Sequence, residues 1–301
     1  MQNALTHIAI YGDAGRGNSE QFALGRIMAR RHALNPFRFA LSTGDNQYDP
    51  TTPELMQRIF EEPFAELIQA GVPFFQTPGN HDMDEDRISE QLQYSQRVNA
   101  LARGQGGWVL PAANYVIRDR FVKIIVLNVT AAGSEFPQPA EALQFLEAEL
   151  AEETSDWKVV CFHYHLWSTG LRGDHEEMKA VFLPLLERYP VDFIFAGHEH
   201  HAEIFAPWKG MQFAIVGHGS EIREHVMPSD QECLFRTNDI GFVELSLDAS
   251  EAKLVFVDRH GQEIWKNKTS KAQAIPLASI APAAPAARAA AAGTTTVARV
   301  S

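Results

Sequence analysis

Leu5-Thr6-His7-Ile8-Ala9-Ile10-Tyr11-Gly12-Asp13-Ala14-Gly15-Arg16-Gly17 reads as a strand running into a glycine-rich turn. Leu5 to Tyr11 is apolar and partly β-branched, and the glycines that follow permit a sharp reversal. A helix is expected from about Ser19, because Leu24, Ile27 and Met28 fall at i, i+3 and i+4. This strand, turn and helix is the unit of an α/β fold, and the chain repeats it.

Phe37 to Ser42 reads as a strand ending at Gly44-Asp45-Asn46-Gln47-Tyr48, and Val72 to Gln76 as one ending at Pro78-Gly79-Asn80-His81-Asp82. Between them, Thr52-Pro53 has the form of a helix start, an N-cap followed by proline, leading into Leu55 and Ile59. Gly104 to Gly107 reads as loop, and Tyr115 to Val129 as a hairpin turning at Arg118-Asp119-Arg120. A helix from about Ala140 carries Leu143, Leu146 and Leu150, after which the alternation resumes. Lys158 to Phe162 ends at His163, Val191 to Phe195 at Gly197-His198-Glu199-His200, and Phe213 to Val216 at Gly217-His218-Gly219. Met178, Val181, Phe182 and Leu185 form a helical stripe, and Gly241 to Leu247 with Lys253 to Asp258 an antiparallel pair.

Asp13, Asp45, Asn80, His163, His198 and His218 thus all follow the carboxyl ends of strands. In an open α/β sheet ligands bind at that edge. A lone histidine after a strand is usually a cap or a core residue. Six metal-type side chains in glycine-marked turns are hard to produce by chance. Eight of the 12 histidines lie between His163 and His225. His198 and His200, at i and i+2 in a turning backbone, can reach two adjacent ions.

The blocks Asp13-Ala14-Gly15, Gly44 to Tyr48, Gly79-Asn80-His81-Asp82, His163 and Gly197 to His200 occur in this order. They resemble the five motif blocks of the calcineurin-like metallophosphoesterases. Tyr48, and glycine rather than histidine at 15, resemble the purple acid phosphatase branch. Trp157 to Val160 and His163 to Ser168 strengthen that likeness, which spans roughly residues 5 to 265. The resemblance implies a four-layer α/β/β/α sandwich of two mixed sheets. It also implies that Asp13, Tyr48 and His200 bind one metal, that Asn80, His163 and His198 bind a second, and that Asp45 bridges them.

The residue types agree with that division. A carboxylate can hold two cations roughly 3.5–4 Å apart. Phenolate and carboxylate oxygens suit Fe(3+) at the Tyr48 site, while an amide oxygen with two imidazoles suits divalent Fe, Zn or Mn. Two such ions lower the pKa of water from about 15.7 towards 7 and neutralise phosphoryl oxygens, so no protein nucleophile is needed. The expected function is hydrolysis of a small phosphorylated substrate, most simply a phosphomonoester. A phosphodiesterase or protein phosphatase on the same centre is the alternative, and a metal-binding interaction protein a third reading.

His81 is the candidate phosphate binder or general acid, with Asp82 to orient it. At 165 this chain has His165 where the family usually has proline, and many relatives place a substrate-contacting histidine a little downstream. Here Arg172 is a candidate phosphate ligand, His165 a substrate contact and His175 a proton donor. The plainer alternative is that Asp174 caps the next helix and His175 is solvated. His201 and His218 are expected behind the site or facing substrate.

The bulk properties narrow the rest. A net charge of -12 disfavours non-specific nucleic-acid binding. No apolar run is long enough to span a membrane, and the start of the chain does not read as a signal peptide, so the expected location is the cytoplasm. Cys161 and Cys233 are expected as buried free thiols, with one disulfide left open. Residues 1–271 read as one catalytic domain. From about Ala272 the chain turns alanine- and proline-rich, so 272–301 is expected to be a solvated tail or, alternatively, a docking or edge-covering segment.

Overall fold

The computed structural model describes residues 5–52, 54–102, 106–130, 140–152, 156–271 and 296–299. The first unit forms as read: β1 (Thr6–Tyr11) leads into α1 (Ser19–Leu34), whose first turn is capped by the Asn18 side chain on the Gln21 N–H. β1 pairs in parallel with β2 (Phe39–Ser42), β2 with β3 (Pro73–Phe75), and β3 with β4 (Gly107–Val109). The opposite flank of this sheet comes from residues 241–270. There β12 (Gly241–Leu247), β13 (Glu251–Asp258) and β14 (Glu263–Ser270) run antiparallel, with β12 seated against β1.

The second sheet is built around three parallel pairings. β6 (Val122–Val126), β7 (Trp157–Cys161), β8 (Phe193–Ala196) and β10 (Gln212–Val216) lie side by side. The hairpin partner β5 (Tyr115–Asp119) flanks them on one side, and β9 (Ala202–Phe205) with β11 (Cys233–Thr237) on the other.

The apolar alternation explains the layering. Along β7, Val159 and Cys161 join the core between the sheets, while Val160 joins a second core beneath α5 (Ala140–Leu150) and α6 (Glu176–Leu186). Along β6, Ile124 and Val126 face inward and Ile125 outward. Successive side chains of a strand point to opposite faces, so a strand buried on both sides reads as a continuous apolar run. On the far face of the first sheet pack α1, α2 (Ala65–Gln69) and, beyond the short α3 (Asn80–Met83), α4 (Arg87–Ala102). The result is the expected four-layer α/β/β/α sandwich of mixed sheets.

Several local expectations change. The helix expected through Leu55 and Ile59 contains a π-helical turn at Gln57–Glu61, and position 53 lies outside the described residues. The end of the stretch read as loop, Gly107, begins β4. The last part of the alanine- and proline-rich stretch, β15 (Val297–Arg299), pairs in parallel with β5 and covers that sheet edge. Residues 272–295 lie outside the described residues. Both cysteines are free, Cys161 buried and Cys233 half-buried. Among the described residues no helix is long and apolar enough to cross a membrane.

The strand that delivers the first candidate ligand is anchored by an ion pair between a half-buried arginine and a buried carboxylate. Arg31, in the last turn of α1, donates from Nε and Nη2 to the two oxygens of Glu244 at 2.7 and 2.8 Å, and His7 Nε2 lies 3.7 Å away. Burial raises the Glu244 carboxyl, but Arg31 and His7 overcome that and hold it at about 2. A depressed carboxyl stabilises the fold at pH values above its unfolded value, and that contribution fades as pH falls from about 4 towards 2. Glu244→Gln is expected to cost about 2–3 kcal/mol at pH 7. The difference from wild type should shrink steadily below about pH 4 in denaturant titrations. A difference independent of pH would refute this account.

Candidate metal centre

The loops after β1, β2, β3, β7 and β8 meet at one edge of the sandwich and are tied to one another by backbone bonds. Asp13 N–H donates to Gly44 O at 2.9 Å, and Gly15 N–H to Asp45 O at 3.2 Å. His163 Nδ1 lies 2.9 Å from Thr43 O, and His198 N–H donates to Asp13 Oδ2 at 3.0 Å. The approach is so close that a Cβ on Gly79 would sit 2.3 Å from Asp45 N and Oδ1. Asp13, Asp45 and His198 hold left-handed backbone, with φ of 53°, 52° and 70°. They are half of the six described non-glycine residues with positive φ, so backbone strain concentrates at this centre.

The side chains converge. Ligand atoms of Asp13, Asp45 and His200 all lie within 4.8 Å of one another. Tyr48 Oη is 3.4 Å from both Asp13 Oδ1 and His200 Nε2. On the other side of Asp45, His163 Nε2 is 3.3 Å from Asp45 Oδ1 and 3.1 Å from Asn80 Oδ1. The His198 ring packs 5.1 Å from that of His163. Asp45 therefore stands between an oxygen-rich group of Asp13, Tyr48 and His200 and a group of Asn80, His163 and His198.

Asp13 and Asp45 are 0% and 1% exposed. Among the described residues no lysine or arginine forms an ion pair with either. Buried charges are paired or coordinate metals, so two carboxylates among imidazoles, a phenol and an amide fit a cation site. The charges of the site depend on one another. Burial raises Asp13 well above the carboxylate range, whereas His163 and His81 outweigh burial at Asp45 and hold it at about 2. His163, despite its burial, is lifted to about 9 by Asp45. The carboxylates thus draw positive charge to their surroundings, which a bound cation would supply in place of a proton on His163.

The residues expected to meet substrate divide. His81 donates its backbone N–H to Asp45 Oδ1 at 3.0 Å and keeps a 40% exposed side chain beside the Tyr48 ring. Its Nδ1 pairs with Asp84 at 3.6 Å, so Asp84, not Asp82, orients it. Asp82 is fully buried and accepts from Asn46 N, Asn46 Nδ2, Gly79 N and Gln91 Nε2. Burial and then the Asp45 charge push its carboxyl up to about 6 against those donors. Its work is to join two ligand loops to α4. Most of the segment between Asp82 and Trp108 is that helix.

Arg172 is exposed at the mouth and donates from Nη1 to His198 O at 3.3 Å. His165 departs from expectation: it is fully buried, its Nε2 lies 2.8 Å from Gly173 O, and its ring stacks on His198. It supports a candidate ligand instead of facing substrate. His175 precedes α6 without a side-chain cap, pairs with Glu177 at 3.3 Å, and packs on Tyr164 and His165. Both of those rings also touch His198, so His175 sits one layer behind the centre. Asp174 bonds Ser168, Ser229, Asp230 and Lys179. His201 and His218 are buried, His201 between Glu199 and Glu203.

Sequence reasoning missed Arg16, Glu221 and Arg223, which ring the same mouth. Arg16 stands in the turn with Asp13, and the others follow the glycine turn after β10, so position alone could have found them. His200 is depressed to about 3, first by burial and then by Arg223, with Arg16 and Arg172 adding to it.

A family model for calcineurin-like phosphoesterases matches residues 6–202. Purple acid phosphatase 3 of Arabidopsis thaliana is 26% identical over 90% of this chain and 79% of its own length. Tartrate-resistant acid phosphatase type 5 of Oryctolagus cuniculus is 25% identical over 89% of this chain and 91% of its own. Among solved structures, a Plasmodium protein described as the anchor in the inner membrane complex superposes with a TM-score of 0.78 at 20% identity, covering 89% of this chain and 90% of that one. A purple acid phosphatase from yellow lupin seeds gives a TM-score of 0.67 at 17% identity, covering 89% of this chain and 54% of that one. At these identities the two structural likenesses bear on the fold alone.

Proposed function

The chain belongs to the calcineurin-like phosphoesterase family, and from that membership we propose that it is a binuclear metal-dependent phosphatase acting on small phosphomonoesters. The observation that carries the reading is the gathering of five further donor side chains around two buried carboxylates that, among the described residues, form no ion pair with a lysine or arginine. A catalytic centre that had decayed into a docking surface would be expected to have lost donors. Here Asp13, Tyr48 and His200 would hold one ion, Asn80, His163 and His198 the other, and Asp45 both. The phenol and carboxylates of the first group favour Fe(3+), and the second group favours divalent Fe, Zn or Mn. When bound, such ions supply Lewis acidity and an acidified water.

The chain's own groups do the rest. Arg172, exposed beside His198, would grip phosphoryl oxygens through its guanidinium fork. His81 has Nδ1 engaged by Asp84, which leaves Nε2 to give a proton to the departing oxygen. His165 and Thr43 hold the rings of His198 and His163 in place.

The test is metal analysis of the purified protein alongside a panel of phosphomonoesters and phosphodiesters. Two ions per chain and faster monoester turnover are expected. Preferential diester cleavage would replace the monoester reading, and full occupancy without turnover would favour a binding protein. A visible absorption band that disappears in Tyr48→Phe reads out the ferric assignment in the same samples.

A further inference from the structure

Two guanidinium groups outside the ligand set close on the mouth from separate loops. Arg16 lays its Cζ 4.1 Å over the Tyr48 ring and pairs through Nη2 with Glu221. Arg223 donates its backbone N–H to His200 O at 2.9 Å, and its Nε lies 3.5 Å from Glu221 Oε1. Glu221 Oε2 is in turn 3.7 Å from His200 Nδ1. The Arg16–Glu221–Arg223 cluster therefore touches Tyr48 through Arg16 and is one imidazole ring, that of His200, away from Asp13. All three side chains stay solvent-accessible, at 34%, 36% and 29% exposure.

Folding does not account for this cluster. Ion pairs this exposed contribute little to stability. The two loops are already joined by Gly219 N–H on Gly12 O, Ser220 Oγ on Asp13 O, and Asn18 Nδ2 on Ser220 O. Two cations share one carboxylate, so the cluster keeps a net positive charge in a chain of net charge -12. Guanidinium forks match carboxylates and phosphates, and a carboxylate of the chain already occupies the position between them.

We infer that Arg16 and Arg223 form a subsite for a second anionic group, a carboxylate or phosphate carried by the leaving part of a phosphate ester, with Glu221 as the exchangeable occupant. Resting on the phosphatase reading for where the phosphoryl group lies, the subsite selects substrates whose leaving group is itself an anion. Glu221 then swings away as that group enters, so esters with a neutral leaving group gain nothing from the arginines.

The test is calorimetric binding to the metal-loaded full chain. Methylphosphonate carries one anionic group, phosphonoacetate adds a carboxylate, and methylenediphosphonate adds a second phosphonate. A charge-assisted contact is worth about tenfold in affinity, so both two-anion probes should bind about tenfold more tightly than methylphosphonate. The double variant Arg16→Gln/Arg223→Gln should lose most of that preference, and Glu221→Gln should increase it. The probe whose advantage falls further identifies the second group as carboxylate or phosphate. If the double variant does not fold, the two single variants decide by the same ratio. An unchanged ratio, an equal loss on all three probes, or a reduced preference in Glu221→Gln overturns the subsite. Absence of turnover would sink the phosphatase reading while leaving these binding ratios to stand or fall separately.

Discussion

Asp45→Asn is expected to lower bound metal from two ions to one or none and to reduce phosphomonoester turnover by at least about 10³-fold. The carboxylate lies between the two donor groups, 3.3 Å from His163 Nε2 and in the cluster with Asp13 and His200. An amide keeps the shape and one acceptor, which can still take the His81 N–H at 3.0 Å. It removes the charge and replaces the second oxygen with a donor, so it cannot hold two cations. Asparagine also tolerates the left-handed backbone at φ 52°, so the fold should persist. The loss would then be one of metal and not of structure. Metal analysis of the folded variant checks this, and unchanged stoichiometry would show that Asp45 does not bridge.

The second large effect falls on stability. Asp82→Ala is expected to cost about 4 kcal/mol or more, because several buried donors lose their acceptor and each orphan costs about 1–3 kcal/mol. Gly79 N at 2.8 Å, Asn46 N at 3.0 Å, Asn46 Nδ2 at 2.9 Å and Gln91 Nε2 at 2.8 Å all end on this carboxylate. Unfolding in guanidinium chloride gives the readout. A variant within about 1 kcal/mol of wild type would mean the loops are held by something else. The prediction separates a residue that locks Gly79–Asn80 against Asn46 from one that orients His81, the role its place beside His81 suggests in sequence.

That contrast shows what the sequence could carry. Strands buried on both faces, such as β7 and β10, announce themselves as apolar runs, and the turns that end them are marked by glycine. The seven donors follow from those turns, since any side chain just past a parallel strand points to the same edge. What was not legible depends on partners distant in sequence. β9, β11 and β14 are short or polar, and only their neighbours make them strands. α4 carries few large apolar residues and spends Gln91 and Ser95 on buried polar contacts with Asp82 and Leu110 N, so its apolar stripe of Ile88, Leu92 and Val98 is interrupted by polar residues. That His81 turns to Asp84, and that His165 backs His198, are facts of side-chain direction that spacing does not encode. The turns of Arg16 and Arg223 place both at the ligand edge, but nothing in either turn shows that the two share Glu221.

The left-handed residues of the centre have a consequence on another timescale. At Asp13, Asp45 and His198 a glycine would relieve roughly 1–3 kcal/mol of backbone strain each, and losing either carboxylate would also remove a buried charge. Replacement by glycine at any of the three would ease the backbone while it erased the donor, whereas most other side chains fit positive φ less well than aspartate or histidine. Over generations without selection for chemistry, glycine is therefore the replacement that the backbone favours at these positions.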